Sequence, residues 1–353
     1  MIKKNVCIVA GARPNFIKVA PLIRAIEKTE GASYELVYAG REDDPTLEQS
    51  LFDDLQMPRP TTYFGVDSTS LNEITSRVMA EFDLFLDHHP TDVVIVVDDL
   101  ASTMAAAIVA KKKGVKLAHL VAGTRSFDIN MPKEINRLVI DALSDYLFTA
   151  GMKSNSVATR EQSESSQSYM VGNILMDTLR YNHARLRKPD LELAEGKYIV
   201  LTLNRKALLS DKEELAAMLH TIVDKAGDTP VIAPLRQLAH DAVEAVCPGI
   251  KLVAPLNYLE FGWLTAHALG VITDSGNVAE EATFNCVPCI TLNSYTEHSE
   301  TVTIGSNVLV GGNVQKLSEA LELMLNNQWK KCALPDRWDG RTADRIVQIL
   351  MRQ

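Results

Sequence analysis

The sequence predicts an α/β protein with two doubly wound parallel sheets, and three observations support that prediction. The chain has 353 residues, more than one hydrophobic core usually holds, so two domains of about 150–200 residues are expected. Short apolar runs rich in β-branched residues alternate with longer segments of helical period. The run at 93–97 reads Val-Val-Ile-Val-Val, which is typical of a strand buried on both faces of a parallel sheet.

The first half should contain a series of strands joined by helices. Strands are expected at residues 5–10, 34–38, 92–97, 116–120, 146–149 and 168–171. Helices are expected at 15–28, 102–113 and 134–144. Because strands alternate with helices, consecutive strands should run parallel in one sheet.

A second series of strands follows a polar connector. Residues 185–190, Arg-Leu-Arg-Lys-Pro-Asp, carry no apolar period and contain a proline, as linkers do. Strands are then expected at 198–202, 230–233, 251–253, 270–273, 289–292 and 307–310. We predict an N-terminal domain at 1–185, a C-terminal domain at 186–340, and a helix at 341–353 that packs back on the N-terminal domain. The two sheets should face each other across a cleft at the carboxyl ends of their strands.

The composition is that of a packed globular protein, with 46% hydrophobic and 23% charged residues. The formal net charge of −9 argues against nonspecific binding to nucleic acid or to an anionic membrane, so neither is expected as a partner. No window approaches 18 consecutive apolar residues, and the N-terminus is too short and strand-like for a signal peptide. We therefore expect a cytoplasmic protein.

The cysteines are odd in number and mostly lie in apolar surroundings, which suits reduced, buried thiols. Residues 286–289, Cys-Val-Pro-Cys, have the spacing of a redox or metal motif, but no second pair accompanies them. We interpret Cys286 and Cys289 as small hydrophobic residues at a strand entrance. The complete set is Cys7, Cys247, Cys286, Cys289 and Cys332.

Polar residues follow the first predicted strand and the strand at 92–97. Residues 11–15, Gly-Ala-Arg-Pro-Asn, combine a tight glycine turn, a cation and a proline near a helix start. Arg13 either faces a phosphate or a base, or is a solvated residue of a helix-entry turn. Asp98 and Asp99 precede a helix start, so each carboxylate either caps that helix or projects toward a ligand.

Three further motifs follow predicted strands or open predicted helices. Residues 119–125 read His-Leu-Val-Ala-Gly-Thr-Arg, and residues 132–137 read Pro-Lys-Glu-Ile-Asn-Arg. Residues 273–282, Thr-Asp-Ser-Gly-Asn-Val-Ala-Glu-Glu-Ala, begin a helix directly after a strand. Small residues there let backbone N–H groups at the positive end of the helix dipole meet a phosphate, and a carboxylate one turn along can bind ribose hydroxyls. The alternative is an ordinary capped helix with a solvated Glu pair.

With these motifs in order, the chain resembles the non-hydrolysing UDP-N-acetylglucosamine 2-epimerases over essentially its full length. The segments that carry the resemblance are 11–14 with 17–22, Asp99, His119 with Gly123 and Arg125, Glu134 with Asn136 and Arg137, 172–173 with Asp177, 273–276 with 280–282, Glu297 and Glu300. The resemblance implies two Rossmann-like domains of the GT-B kind, with sugar chemistry in the N-terminal domain and UDP binding in the C-terminal one. It also implies a homodimer and a role in cell-surface polysaccharide biosynthesis.

In that family UDP is removed by anti-elimination to give a 2-acetamidoglucal, and is then added back with inverted configuration at C2. The reaction needs a base at C2, a proton donor for the other face and groups that stabilise departing UDP. It requires no nicotinamide, so no cofactor and no metal are expected. By resemblance, Ser275, Gly276 and Asn277 hold the diphosphate and Glu281 binds the ribose hydroxyls. The other implied substrate-binding residues are Arg13, His119, Arg125, Asn136, Arg137, Asn204, Arg236 and Glu297.

The catalytic positions depart from the family pattern. The family's acid/base set is an Asp, two Glu and a His, of which this sequence retains only Asp99. Val121, Lys133 and Asn204 stand at the other three positions, and neither Val nor Asn transfers protons near pH 7. We therefore expect a rebuilt set in which Asp99, Lys133 and Glu134 take the proton-transfer roles.

Three functions are compatible with these residues. The first is a nucleotide-sugar 2-epimerase that acts on a UDP-N-acetylhexosamine or a related UDP-sugar with the rebuilt set. The second is a glycosyltransferase or UDP-sugar hydrolase, in which Asp99 or Glu134 activates an acceptor or water. The third is a non-catalytic protein that retains the UDP side of the site. All three predict a UDP-sugar as the partner.

Overall fold

The chain folds into two compact units in a computed structural model that describes residues 3–352. Unit 1 contains the residues up to Tyr181 together with those from Asp336 onward, and unit 2 spans Asn182–Pro335. The predicted boundaries at 185 and 340 lie a few residues beyond these crossing points. The chain therefore leaves unit 1 once and returns to it for its last helix.

Unit 1 is built on a seven-stranded sheet. Its strands are β1 (Lys4–Ala10), β2 (Ala32–Tyr38), β3 (Thr62–Tyr63), β4 (Val93–Val97), β5 (Lys116–Leu120), β6 (Tyr146–Thr149) and β7 (Gln167–Met170). Their order across the sheet is β3-β2-β1-β4-β5-β6-β7, and adjacent strands are parallel.

Helices connect the strands of unit 1. They are α1 (Arg13–Glu27), α2 (Gln49–Leu55), α3 (Leu71–His88), α4 (Ala101–Lys112), α5 (Pro132–Leu143), α6 (Met152–Glu161) and α7 (Ile174–Asn182). In α5 a proline occupies the first turn, where its missing N–H costs nothing. The buried face of α5 carries Glu134, Arg137 and Asp141 at helical spacing, so this helix brings charged side chains inward as well as the apolar Ile140.

Unit 2 repeats the same plan with a six-stranded sheet. Its strands are β8 (Ile199–Thr202), β9 (Val231–Pro234), β10 (Lys251–Val253), β11 (Gly270–Thr273), β12 (Cys289–Thr291) and β13 (Asn307–Leu309). Their order is β10-β9-β8-β11-β12-β13, again with parallel neighbours. Its helices are α8 (Lys206–Ser210), α9 (Lys212–Ala226), α10 (Gln237–Val246), α11 (Tyr258–Ala266), α12 (Gly276–Phe284), α13 (Glu300–Thr303) and α14 (Val314–Leu325).

The predicted fold class is confirmed, because both sheets are parallel and alternate with helices along the chain. The expected strands appear within two residues of their predicted bounds, and every residue of β4 is buried. The edge strand β3 is only two residues long, too short to show a periodic pattern. No element is predicted for α2 or α3, although Ser70 accepts a hydrogen bond from the Glu73 N–H as the N-cap of α3.

In each sheet the strand order reverses at one place, between β1 and β4 in unit 1 and between β8 and β11 in unit 2. Open α/β sheets bind ligands outside the carboxyl ends of the strands at such points. In unit 1 these strands lead into residues 11–15 and 98–99, and in unit 2 they lead into 203–206 and 274–276. Motifs identified in the sequence therefore lie at the two switch points.

The last helix, α15 (Thr342–Arg352), is attached to unit 1 by a buried aspartate. Both carboxylate oxygens of Asp177 accept hydrogen bonds from the start of α15, from the Thr342 N–H at 3.1 Å and the Ala343 N–H at 2.8 Å. Near the other end of the helix, the Leu350 carbonyl accepts a hydrogen bond of 2.6 Å from Lys4 Nζ. Burial raises the pKa of Asp177 to about 6 from its ordinary 3.8, although the hydrogen bonds oppose this change.

We expect Asp177 to make the free energy of unfolding fall as the pH rises from about 4 to 6. The pKa of Asp177 is higher in the folded chain than in the unfolded chain, so the folded chain binds a proton more tightly. The resulting stability is fully present below about pH 4 and is lost as the pH rises through 6. The loss should be on the order of 3 kcal/mol. Urea unfolding of the native chain and Asp177→Asn at pH 4.5 and 7 measures it. Identical pH dependences of the two proteins would contradict the expectation.

The prediction of five reduced, buried cysteines is wrong for two of them. Cys286 and Cys332 form a disulfide, which links the end of α12 to the chain that leads back to unit 1. Cys7, Cys247 and Cys289 are free and buried, as expected. The error arises because the partner of Cys286 lies 46 residues away in the sequence rather than in the nearby 286–289 motif. Between residues 3 and 352, no helix has the length and apolar character to cross a membrane.

Candidate functional site

The switch point of unit 1 is held together by hydrogen bonds between the starts of two helices. Asn15 Oδ1 accepts hydrogen bonds from the N–H groups of Gly11 (2.9 Å) and Ala12 (3.1 Å), which fixes the turn that carries Arg13. Its amide donates to Asp98 Oδ2 at 2.8 Å. A Cβ at Gly11 would lie 2.0 Å from the Ser102 hydroxyl, so this close approach of α1 and α4 requires glycine.

Asp98 does not cap the following helix but pairs with a cation on α1. Its Oδ1 lies 2.5 Å from Lys18 Nζ, and the N-cap of α4 is Leu100. Asp98 has a backbone φ of +60°, a left-handed conformation that non-glycine residues adopt rarely. Asp98 is thus held in an unusual conformation by its bonds to Lys18 and Asn15.

Asp99 lies between two cations of α5. Arg137 binds its Oδ2 through Nε at 2.7 Å and Nη2 at 2.5 Å, and Lys133 Nζ lies 3.5 Å from its Oδ1. Burial alone would raise the pKa of Asp99, but Lys133 and Arg137 hold it below its ordinary value. Asp99 is therefore a carboxylate near neutral pH. The Lys133 side chain is 59% exposed, so its ammonium can reach a ligand.

Glu134 is fully engaged by its own surroundings. Its oxygens accept hydrogen bonds from the Ser126 N–H (2.8 Å), the Ser126 hydroxyl (2.9 Å) and the Phe127 N–H (3.0 Å), and Arg137 Nη1 lies 3.0 Å away. Burial opposes ionisation, but these donors keep the pKa of Glu134 below its ordinary value. A buried carboxylate with this many donors is suited to hold the 126–127 loop rather than to transfer protons, contrary to our expectation for this residue.

His119 has neither ring nitrogen available for a ligand. Nδ1 lies 2.5 Å from Asp141 Oδ1, Nε2 lies 3.0 Å from the carbonyl oxygen of Asp98, and the residue is 1% exposed. Direct contact between His119 and a substrate, implied by the resemblance, does not fit this arrangement. The reason is that Asp141, distant in the sequence, occupies the inner nitrogen.

Arg125 and Asn136 are also turned toward the protein. Arg125 Nη1 lies 2.7 Å from Asp141 Oδ2, and its Nη2 lies 2.9 Å from Glu161 Oε2. Asn136 donates a hydrogen bond of 2.8 Å from Nδ2 to the Asp99 carbonyl. Arg137 is 1% exposed between Asp99 and Glu134. Asn136 and Arg137 thus support Asp99, whereas Arg125 supports Asp141.

Val121, which stands where the family has a glutamate, occupies a strained backbone position. Its φ is +75°, a genuine outlier for a β-branched residue. Such a conformation costs on the order of 1–3 kcal/mol and persists only when surrounding structure enforces it. Here the Val121 and Ala122 N–H groups both donate to the Phe148 carbonyl, at 3.1 and 3.0 Å. The turn is retained although its side chain cannot transfer a proton.

The switch point of unit 2 is organised by Asp274. Its Oδ2 accepts hydrogen bonds of 2.8 Å from the N–H groups of both Asn204 and Arg205, so the loop after β8 is tied to the end of β11. Beneath it, the hydroxyls of Thr202 and Thr273 lie 2.6 Å apart. Asp274 Oδ1 is buried and has no hydrogen-bond partner within residues 3–352. This oxygen can accept a hydrogen bond from a water molecule or from a ligand.

The start of α12 is open to a ligand. Ser275 is its N-cap, and its side chain makes no capping hydrogen bond within the described part of the chain. A Cβ on Gly276 would meet no atom of the described residues within 4 Å. The first-turn N–H groups and the helix dipole can therefore receive an anion there. Asn277 is half-buried on this turn, and Glu281 lies one turn further, buried.

The remaining implied residues of unit 2 lie at carboxyl ends of strands. Arg236 is exposed at the N-cap of α10 after β9, and the exposed Asn204 follows β8. Glu297 is half-buried between β12 and α13. Arg205, which belongs to none of the sequence motifs, directly follows Asn204, and its Nη1 lies 2.5 Å from Asn293 Oδ1.

Several residues of the site escape sequence reasoning. Lys18 and Asp141 lie on buried helix faces, and Asp274 fixes a loop rather than contacting solvent. The available signal is a charged residue at a position where the helical period expects an apolar one. That signal reveals burial but not the partner of the charge.

Comparison with known proteins supports the interpretation of both units. Residues 24–351 match the family model described as UDP-N-acetylglucosamine 2-epimerase. A UDP-N-acetylglucosamine 2-epimerase of Methanocaldococcus jannaschii is 34% identical, over 97% of this chain and 98% of the relative. A UDP-2,3-diacetamido-2,3-dideoxy-D-glucuronate 2-epimerase of Pseudomonas aeruginosa is 32% identical, over 87% of this chain and 88% of the relative.

A solved structure gives the same result. The crystal structure of the Methanocaldococcus jannaschii UDP-GlcNAc 2-epimerase in complex with UDP-GlcNAc and UDP has a TM-score of 0.87 and 33% identity, covering 99% of this chain and 100% of that chain. The family match and these identities over nearly whole chains lead to one conclusion: this chain belongs to the UDP-N-acetylglucosamine 2-epimerase family.

Proposed function

We propose that this chain binds a UDP-N-acetylhexosamine or a related UDP-sugar and inverts its configuration at C2 by elimination and re-addition of UDP. The observation that carries the proposal is the arrangement at Asp99, a buried carboxylate clamped on one oxygen by Arg137 and approached on the other by the exposed Lys133. It places an ionised carboxylate, which can accept a proton, and an exposed ammonium, which can donate one, at the switch point of unit 1.

Unit 2 supports the binding half of the proposal. The open start of α12, at Ser275, Gly276 and Asn277, suits a diphosphate, and the carboxylate of Glu281 suits the ribose hydroxyls. Arg205 and Arg236 add positive charge at neighbouring strand ends. A chain with a net charge of −9 needs such a local cationic site to attract an anionic ligand.

Unit 1 supports the chemical half. In the elimination, Asp99 removes the C2 proton, the C–H electron pair forms the C1–C2 double bond, and the C1–O bond breaks to release UDP. In the re-addition, a UDP oxygen attacks C1, and the exposed Lys133 ammonium, which leaves its pair with Asp99 when the sugar lies between them, delivers a proton to the other face of C2. Lys133 then takes a proton from solvent, and Asp99 releases to solvent the proton that it removed from C2. Glu134 takes no proton in this scheme, because its oxygens are occupied by Ser126, Phe127 and Arg137.

A transferase or hydrolase function is less well supported. The chain is UDP-N-acetylglucosamine 2-epimerase-like, and the relatives with 32–34% identity are 2-epimerases. These relatives do not identify the sugar that this chain binds, because their names give two different UDP-sugars. A homodimer and a cytoplasmic location belong to this proposal as expectations from the resemblance.

The test is incubation in deuterated water with UDP-N-acetylglucosamine, its galacto and manno isomers, and UDP-2,3-diacetamido-2,3-dideoxy-D-glucuronate. Nuclear magnetic resonance follows deuterium at C2, the epimer and free UDP together, and a titration with UDP measures binding separately. We expect deuterium at C2 of at least one sugar, with its epimer. UDP binding without exchange would leave only a non-catalytic binder, and release of free sugar would indicate a hydrolase. Either result would overturn the epimerase proposal.

A further inference from the structure

We propose that His119 is a positioning residue which, with Asp141 behind it, fixes the backbone that carries Asp99. This inference deepens the proposed function and rests on it. His119 lies at the carboxyl end of β5, next to β4, and its ring reaches the backbone between β4 and α4. It touches no group that the proposed reaction assigns to proton transfer.

Two consecutive carbonyls of this backbone are held by side chains from different elements. The Asp98 carbonyl faces His119 Nε2 at 3.0 Å, and the Asp99 carbonyl accepts from Asn136 Nδ2 at 2.8 Å. The Asp98 N–H is held as well, by the Leu120 carbonyl at 3.2 Å. The peptide groups around the left-handed Asp98 are thus held by β5 and α5, in addition to the bonds of its side chain to Lys18 and Asn15.

The hydrogen-bond partners of His119 determine where its protons are. A carboxylate and a backbone carbonyl only accept hydrogen bonds, so both ring nitrogens must donate for both contacts to exist. His119 then donates one hydrogen bond to Asp141 and one to the Asp98 carbonyl. Burial opposes ionisation of Asp141, but His119 and Arg125 together hold the pKa of Asp141 below its ordinary value, so Asp141 is the acceptor of this pair.

Asp141 also anchors the turn on the other side of His119. Its Oδ2 accepts a hydrogen bond of 3.1 Å from the Gly123 N–H and lies 2.7 Å from Arg125 Nη1. Gly123 and Val121 both have positive φ, so the turn after β5 is as unusual as the one after β4. The His119–Asp141 pair therefore connects two strained turns, and one of them precedes Asp99 directly.

The first test concerns the ring itself and needs no enzyme activity. Nuclear magnetic resonance of protein with ¹⁵N-labelled histidines detects the ring nitrogens. The signals of His119 are identified as those that disappear in the His119→Leu variant. We expect both ring nitrogens to carry protons at pH 7. One unprotonated nitrogen would overturn the proposal, because the contact with the Asp98 carbonyl or with Asp141 would then be absent.

The second test separates positioning from simple stabilisation. We expect His119→Leu to lower kcat by about 100-fold, the effect of a misplaced reacting group, while the Kd for UDP stays within about twofold. His119→Gln should recover part of the loss, because its amide can still donate to the Asp98 carbonyl. The control is Ser166→Ala, which removes a buried hydroxyl that donates 2.7 Å to the Ser144 carbonyl at the amino ends of β6 and β7.

If kcat per folded molecule falls no further in His119→Leu than in Ser166→Ala, the positioning role is overturned. If the native protein turns over no UDP-sugar, the proposed function fails instead, and the ring-nitrogen experiment still decides whether His119 holds the Asp98 carbonyl. The failure of one proposal is thereby distinguishable from the failure of the other.

Discussion

Replacement of Asp99 by asparagine is expected to lower kcat by roughly 10²–10⁴-fold, the usual contribution of a positioned general base. Asparagine keeps the shape of the side chain and an oxygen for Arg137, but it cannot accept a proton. Lys133→Met should lower kcat in a similar range if its ammonium supplies the second proton. The Kd for UDP should not change, since the proposed UDP contacts belong to unit 2. Steady-state kinetics and a UDP titration measure the two quantities.

The double variant Asp99→Asn with Lys133→Met makes this prediction more specific. Groups that act as a unit show non-additive losses, so the double variant should be little worse than the poorer single one. The control is Asp83→Asn, which removes the charge of an exposed carboxylate of α3 that pairs with Lys113. Normal kcat in Asp99→Asn, with epimerisation intact in the native chain, would show that another residue removes the C2 proton.

Replacement of Arg137 by methionine is expected to lower the free energy of unfolding by about 3–5 kcal/mol, the typical cost of removing one partner from a buried ion pair. Arg137 is 1% exposed and binds two buried carboxylates, Asp99 and Glu134. In the native chain the pKa of both carboxylates is lowered despite their burial, so the stability they contribute is present above about pH 4. Without Arg137 the pKa of both carboxylates should rise, although Lys133 still lowers that of Asp99 and the Ser126 and Phe127 donors still lower that of Glu134.

The sign of the pH effect follows from the direction of these changes. Because Arg137 lowers the folded-state pKa of each carboxylate, the stability that it adds is present above about pH 4 and is lost as the pH falls below that value, so the destabilisation should be larger at pH 7 than at pH 3.5. Urea unfolding at both pH values measures it. The matched control is Arg160→Met, since Arg160 is 66% exposed in its pair with Glu161 and should contribute less than about 1 kcal/mol. Equal, small losses in both variants would show that the Arg137 cluster adds no stability.

The sequence was sufficient for much of the fold because the relevant physics is local. A run such as 93–97 is apolar at every position only if both faces of its strand are covered, and this holds for β4. The glycine and serine at 275–276 likewise indicate a helix start that can accept a phosphate, and the structure shows that start open. Short or polar elements such as β3 lack a period and were not predicted.

The roles of the charged side chains could not be assigned in the same way. His119, Arg125 and Asn136 were expected to meet substrate because they lie in motifs after strands or at a helix start. In the structure each is bound by a group that is distant in the sequence, namely Asp141, Glu161 or the Asp99 carbonyl. Glu134 was expected to transfer protons, and it holds a loop instead.

The sequence by itself therefore determined two parallel α/β sheets, the position of a helix start suited to an anion and the family, because these follow from local periods and contiguous motifs. The tertiary structure alone decided which charges pair. Strand order places β1 beside β4, so that Asp98 meets Lys18 from 80 positions away, and helix α5 brings Arg137 onto Asp99 from 38 positions away. Whether a buried charge is available for chemistry depends on such partners, since an unpaired charge is too costly to bury and a fully bonded one is held in place.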